Sequence, residues 1–254
     1  MNGKIYTIIT DAYRSGRALF FLLIDPDKTD TLLLPEYIRY ADSHGVDGFL
    51  VGDSLSLYTE FESTVRDVKT STAKPVILFP GGIHQITSEA DAILFLSIIS
   101  GRNPEHLIGQ HVLAAPLVRR LGLEALSTAY MLIDSGAMTG AEFMSYSKPI
   151  PRHKLEIAVA HAMAAEILGF KLIYLEAGSG ARRTVPNEMI SSVRKTVDVP
   201  IIVGGGLHTP EEAREKVIAG ASIVVIGNHF ETEGNRFEII RFAEAIHDPL
   251  IRIS

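Results

Sequence analysis

Short apolar runs rich in β-branched and aromatic residues recur along this chain, each closing on Gly, Asp, Pro or Ser, and most lead into a stretch with helical apolar spacing. Such alternation of strand and helix builds a parallel sheet with helices packed over it. The candidate strands are Ala18–Ile24, Gly48–Val51, Val76–Phe79, Ala92–Leu96, Ala125–Leu132, Leu172–Leu175, Ile201–Val203 and Ile223–Ile226. Eight of them predict an α/β fold with a single closed (β/α)₈ barrel, the TIM barrel; an open doubly wound sheet is the competing architecture. With 254 residues the chain has the size of one such domain, with a helix over 1–17 before the first strand and a short tail over 248–254.

Local chemistry predicts three helices directly. Thr209 caps a helix that Pro210 opens, Glu211 and Glu212 place negative charge in its first turn, and Gly220 ends it after Ala219. Pro186 opens another that ends near Val197, and Arg152 to Leu168 is an Ala-rich helix stopped by Gly169. The stretch from Pro80-Gly81-Gly82 to Ala90 is too short for a helix with loops on both sides, so the third helix is expected to be reduced or replaced. The segment from Asp134 to Pro151, rich in Gly, Ser and Met, is the expected mobile loop over an active site.

Bulk composition narrows the function. A net charge of −6 with acids and bases interspersed disfavours nucleic-acid partners, which need a basic face. Zero cysteines exclude disulfides and Cys-based metal centres. No signal-peptide pattern opens the chain, and the run from Ala18 to Ile24 is too short to span a bilayer, so a soluble cytoplasmic protein is expected.

Barrel enzymes carry their chemistry at strand C-termini, often with a phosphate held by the loops after strands seven and eight. Strand seven here runs into Gly204-Gly205-Gly206, where missing Cβ atoms let backbone N–H groups approach an anion, and strand eight runs into Gly227-Asn228. The triplet alone also suits a plain tight turn; paired with Gly227-Asn228 one unit later, it predicts a phosphate-binding barrel. Strand six ends in Tyr174-Leu175-Glu176-Ala177-Gly178-Ser179-Gly180, whose alternation aims Tyr174 and Glu176 to one side, where both suit a polyol and Glu176 suits a base. The blander alternative makes Tyr174 a barrel-interior residue and Glu176 a partner of Arg182 or Arg183. Strand one ends in Asp25-Pro26-Asp27-Lys28, where two acids can take a hard divalent ion completed by phosphate oxygens. A turn capped by Asp27, with Asp25 paired to Lys28, explains the same residues. Ser54, after strand two, offers a hydroxyl to a metal or phosphate.

Taken in order, Leu-Ile-Asp-Pro-Asp-Lys at 23–28, Gly-Asp-Ser at 52–54, Pro-Gly-Gly at 80–82, Tyr-Leu-Glu-Ala-Gly-Ser-Gly at 174–180, Gly-Gly-Gly at 204–206 and Gly-Asn at 227–228 resemble the geranylgeranylglyceryl phosphate synthase family, which includes bacterial heptaprenylglyceryl phosphate synthases. The resemblance implies transfer of a polyprenyl group, such as geranylgeranyl, from its diphosphate to the sn-3 hydroxyl of sn-glycerol 1-phosphate, with Mg²⁺ as cofactor and pyrophosphate released. It implies that Asp25 and Ser54 hold the metal. Tyr174, Leu175, Glu176, Ala177, Gly178, Ser179, Gly180, Gly204, Gly205, Gly206, Gly227 and Asn228 would hold glycerol phosphate, with Tyr174 and Glu176 on the polyol. It also implies a homo-oligomer, dimer or hexamer, and transient contact with a membrane surface. Leu23 stands where some members carry a basic residue, so Asp27 and Lys28 are the expected diphosphate contacts, and Asp53 adds a carboxylate where others have glycine.

A polyprenyl tail requires an apolar groove, for which Leu94, Leu96, Ile98 and Ile99 and the stretch Met138, Phe143, Met144 and Tyr146 are candidates, although core packing accounts for most such residues. His153 and His161, eight apart on a presumed helix, are better read as surface or packing residues than as metal ligands. A sugar-phosphate isomerase or epimerase would share the glycine loops, and a non-catalytic barrel that binds a phosphorylated ligand is the second rival.

Overall fold

A computed structural model describes residues 3–55, 61–248 and 250. Eight parallel strands, β1 (Leu19–Ile24), β2 (Gly48–Val51), β3 (Val76–Leu78), β4 (Ala92–Ile98), β5 (Glu124–Leu132), β6 (Leu172–Glu176), β7 (Ile201–Gly204) and β8 (Ile223–Ile226), pair in chain order. The ring closes where β8 meets β1, with Leu19 opposite Ile223. Closure excludes the open sheet.

Strand alternation sorts the apolar side chains into two layers. Leu19, Phe21, Leu50, Ile77, Leu94, Tyr130, Tyr174 and Ile202 fill the barrel, while Phe20, Leu22, Phe49, Val51, Leu175 and Val203 face the helices. Gly48 makes the inner layer possible on one side, because a Cβ there would sit 2.9 Å from the Phe21 ring.

The helices are α1 (Lys4–Arg14), α2 (Leu34–Ser43), α3 (Phe61–Thr70), α4 (Gln110–Leu121), α5 (Gly140–Ser145), α6 (Leu155–Ile167), α7 (Asn187–Arg194), α8 (Pro210–Ile218), α9 (Asn228–Glu231) and α10 (Ile239–Ile246). The N-terminal helix α1 packs Ile5, Ile9 and Ala12 into the inner layer, and its first N–H groups, those of Ile5 and Tyr6, each donate to the Glu124 carboxylate at 2.8 Å. The N-cap expected at Thr209 is formed, and Glu212 completes it into a capping box not foreseen from the sequence. Of the expected C-terminal tail, 249 and 251–254 lie outside the described residues.

Three expectations need revision. Helix α6 begins at Leu155 rather than Arg152, because the Arg152 guanidinium is drawn into a turn where it donates to the carbonyls of Asp134 and Thr184. His153 therefore precedes the helix and shares no face with His161. The segment from Asp134 to Pro151 is built rather than loose: Ile133 bridges Ile150, and Thr139 caps α5. After β3 the chain makes only a 3₁₀ turn, Ile83–Gln85, as the short spacing predicted. No helix among the described residues is long and apolar enough to cross a membrane.

Candidate active site

The C-terminal ends of the strands surround a cavity of about 450 Å³ with two chemically distinct arms. Asp25, Lys28, Ser54, Glu176, Ser179, Gly205, Gly206, Gly227, Asn228 and Glu231 line the polar arm. Ile86, Leu94, Phe95, Leu96, Ile98, Ala114 and Met144 line the other. Residues of β4, the segment after the 3₁₀ turn at Ile83–Gln85 and α4 meet here, with His106, Gln110 and His111 beside them. Among the groove candidates, Leu94, Leu96, Ile98 and Met144 face the cavity, whereas Ile99 packs against the core beneath the helices. Met138, Phe143 and Tyr146 project outward at the mouth.

Glu176 stands between the two arms at the end of β6, only 5% exposed. Its Oε1 accepts from the Gly178 N–H at 2.6 Å, rather than pairing with Arg182 or Arg183. Burial in the barrel mouth raises its carboxyl from 4.5 to about 7, against the opposing pull of the Gly178 N–H and the Tyr174 hydroxyl. Tyr174 is fully buried and stacks on Phe79 at 5.5 Å, with Tyr130 edge-on at 5.2 Å. Its hydroxyl lies beside the Glu176 carboxylate, close enough to pull that carboxyl down but out of good hydrogen-bonding alignment with it, and no other group meets it. An unmatched buried hydroxyl costs about 1–3 kcal/mol unless a ligand or water satisfies it, so this atom marks a place for one.

The three glycines at the end of β7, Gly204 to Gly206, clear that place. A Cβ on Gly204 would stand 2.6 Å from the Tyr174 hydroxyl and 3.0 Å from Glu176 Oε2. Gly205 and Gly206 turn the chain with φ of 88° and 71°, the left-handed region that glycine enters at little cost. The loop after β6 meets the loop after β8 where Ser179 donates to Asn228 Oδ1 at 2.9 Å. Two glycine loops and the first turn of α9 thus surround one end of the polar arm, the usual barrel arrangement for a phosphate. Gly180 lines this end of the cavity, whereas the Gly178 N–H is spent on Glu176 and Gly204 closes β7 behind it. Leu175 and Ala177 do not present side chains to it, since alternation buries both beneath the helices.

At the mouth of β1, Asp25 rather than Asp27 caps the 3₁₀ turn Pro26–Lys28, accepting from the Asp27 N–H at 3.1 Å. Asp25 Oδ2 also pairs with the Lys28 ammonium at 2.8 Å, and Lys28 reaches Glu231 of α9 at 3.2 Å. Glu231 was not foreseen from sequence; an acid one turn after Gly-Asn carries no signature until β8 is closed against β1. Burial raises its carboxyl, and Lys28 offsets part of that rise. Asp53 also lines the cavity, with its Oδ1 accepting from the Leu55 N–H at 2.7 Å and from Gln85 Nε2 at 2.9 Å. Ser54 is exposed at the rim, opposite Gly140 of α5. Phe79 and Tyr130, also missed, shape the platform under Tyr174; their signal was inward alternation at strand ends.

Among known proteins, this chain is 47% identical over 227 residues to the geranylgeranylglyceryl phosphate synthase of Spirosoma linguale, covering 89% of this chain and 91% of that one. It is 44% identical over 234 residues to the protein of the same name from Thermococcus kodakarensis, covering 92% of each. The crystal structure of (S)-3-O-geranylgeranylglyceryl phosphate synthase from Thermoplasma acidophilum, in complex with sn-glycerol-1-phosphate, superposes with a TM-score of 0.88 at 29% identity, over 98% of this chain and 99% of that one. A tryptophan synthase structure from Mycobacterium tuberculosis, at 13% identity and a TM-score of 0.63, shares the fold alone. Residues 12–246 match the PcrB family, and with these relatives the match establishes that the chain belongs to it.

Proposed function

We propose that this protein joins a polyprenyl diphosphate to the sn-3 hydroxyl of sn-glycerol 1-phosphate, forming an ether and releasing pyrophosphate. The observation that carries this reading is a buried carboxylate of pKa about 7, standing where a glycine-rich anion cradle meets an apolar groove. A phosphosugar isomerase or epimerase has a use for the cradle and none for the groove. A silent binder has no need to keep a carboxylate desolvated beside an unpaired tyrosine hydroxyl.

In this reading the cradle of Ser179, Gly180, Gly205, Gly206, Gly227 and Asn228 holds the glycerol phosphate through backbone N–H groups, while Gly178 and Gly204 shape it from behind. The polyol extends toward Tyr174 and Glu176. Glu176 takes the proton of the attacking hydroxyl as its oxygen bonds to C1 of the prenyl chain and the bond from C1 to the diphosphate oxygen breaks. A base with a pKa near the working pH is well matched to that transfer. The prenyl tail lies along Leu94, Leu96, Ile98 and Met144, each buried CH₂ contributing about 0.8 kcal/mol.

The donors at the β1 mouth fit a hard divalent cation. Asp25 and Ser54 supply oxygens only, and Asp25 already holds a cation in the Lys28 ammonium. Among the described residues no group of three His, Cys, Asp or Glu side chains could cage a metal, which suits Mg²⁺, an ion that takes one or two carboxylates and completes its shell with substrate oxygens and water. Bound there, Mg²⁺ would stabilise the negative charge developing on the departing pyrophosphate. Asp27 and Lys28 stand ready on the same turn for the diphosphate.

Two surfaces support the remaining partners. Leu55, Ile83, Phe143 and Tyr146 are exposed around the mouth, a fringe suited to transient contact with a membrane that holds the tail. Helix α6 is apolar nearly all round, yet Met163 and Ile167 face outward and Leu168 is exposed at its end, and α4 likewise exposes Val112 and Leu113. An unmatched apolar face of this kind fits a second copy of the chain. Barrel helices run in one direction, so a twofold axis across the face brings the Arg119 and Arg120 end of α4 toward the acidic Glu105 and Glu156 ends.

The deciding experiment is pyrophosphate release from geranylgeranyl diphosphate with Mg²⁺, comparing sn-glycerol 1-phosphate with its 3-phosphate enantiomer. Release and a lipid-extractable ether with the 1-phosphate alone is the expected result. No turnover with either enantiomer, across several prenyl lengths, would overturn the reading.

A further inference from the structure

Lys28 bridges two carboxylates from opposite ends of the chain, Asp25 at the end of β1 and Glu231 on α9. Their side chains are 15% and 24% exposed, so water only partly screens the repulsion between them, and a positive charge in the gap relieves it. Asp25 has one carboxylate oxygen turned back to cap its own turn, and the other faces the ammonium. A metal ion that takes this other oxygen therefore arrives where Nζ already stands. Two cations cannot share one carboxylate oxygen at such distances without strong repulsion. Lys28, 43% exposed on a flexible stem, is the partner able to leave.

We infer that Lys28 is a built-in occupant of the metal position, competing with the divalent cation for Asp25, with Glu231 as the second carboxylate of that position. The inference rests on the reading that a divalent cation binds at Asp25. Metal binding to the free protein is then weak, because the ammonium must first be expelled. The diphosphate, a polyanion arriving at the same turn, draws the ammonium toward itself and opens Asp25. Metal and diphosphate thus favour each other's binding, and by linkage the coupling is equal in both directions.

Mn²⁺ titrated into the ligand-free protein and followed by electron paramagnetic resonance tests this without turnover. Lys28→Met is expected to bind Mn²⁺ at least about tenfold more tightly than the wild type. The double variant Lys28→Met/Glu231→Gln is expected to lose most of that gain, and Lys28→Met/Asp25→Asn all of it. Thermal melts with and without Mn²⁺ guard against misfolding, since Lys28→Met should gain more melting temperature from the ion than the wild type does. Equal or weaker Mn²⁺ affinity in Lys28→Met, or no binding in either protein, overturns the competition. Failure of wild-type pyrophosphate release would instead sink the prenyl-transfer reading, while the Mn²⁺ titration would still decide whether Lys28 guards a cation position.

Discussion

Glu176 is held at a cost in stability that its chemistry explains. Its carboxyl rises from 4.5 in the open chain to about 7 in the barrel. Below pH 4.5 both states are protonated and there is no penalty. As pH rises toward 7 the unfolded chain releases its proton first, stability falls, and the loss levels off above the folded value. Glu176→Gln should therefore be more stable than the wild type at neutral pH, by up to about 3 kcal/mol, with the advantage vanishing near pH 4; denaturant melts at both pH values check it. The same substitution should lower kcat by about 10²–10⁴, and it should abolish the decline of kcat/KM as pH falls below about 7, both read from pyrophosphate release. Gly205→Ala meets two obstacles, a left-handed φ of 88° and a Cβ driven against Gly178 and Glu176. It should raise the KM for glycerol phosphate about tenfold or more, since strain of 1–2 kcal/mol falls on the cradle itself. Activity assays at varied glycerol phosphate measure that shift.

Elements whose boundaries depend on near neighbours were legible in the sequence. Thr209 caps and Pro210 opens the helix as expected, with Glu212 closing a capping box, and Thr209→Ala should cost about 1 kcal/mol of stability while leaving kcat unchanged, measured by chemical denaturation beside the assay. The missing helix after β3 was legible from spacing alone, because the eleven residues from Pro80 to Ala90 cannot hold a helix and two turns. The segment after β5 misled, for its Gly, Ser and Met content reads as loose chain. Its order comes from Ile150, which donates to the Leu132 carbonyl at 2.8 Å and pins the far end against the barrel. The start of α6 misled for a similar reason: Arg152 has good helix propensity, but two distant carbonyls hold its guanidinium outside the helix.

Across the whole molecule, closure of the barrel brings the polar cradle and the apolar groove to one mouth. Lengthening the prenyl chain should lower its KM until the groove is filled, and Leu96→Asp, at a half-buried position on the groove, should raise the KM for prenyl diphosphate by about tenfold or more with that for glycerol phosphate unchanged; paired kinetic titrations separate the two. The outward apolar face of α4 and α6 makes a further expectation. Ile167→Glu combined with Val112→Glu should shift the protein toward monomer in sedimentation analysis, because four buried charges per twofold interface would lack partners. A wild type that sediments as a monomer at micromolar concentration would rule that face out.

The rhythm of apolar runs and glycine punctuation was enough to predict eight strands, their order around a barrel and the loops that carry Tyr174, Glu176, the glycine triplet and Asn228, because strand and turn chemistry is local and periodicity exposes it. Side-chain alternation also placed Tyr174 and Glu176 together. Which groups answer them across the barrel is a matter of closure: Phe79 and Tyr130 beneath the tyrosine, Glu231 across from Asp25, and Gln85 donating to Asp53. Those pairings join residues far apart in the chain, and no local pattern specifies a partner that only a closed ring of strands brings within reach. The desolvation of Glu176 has the same origin, since burial is a property of everything packed around a group and not of the residues beside it in sequence.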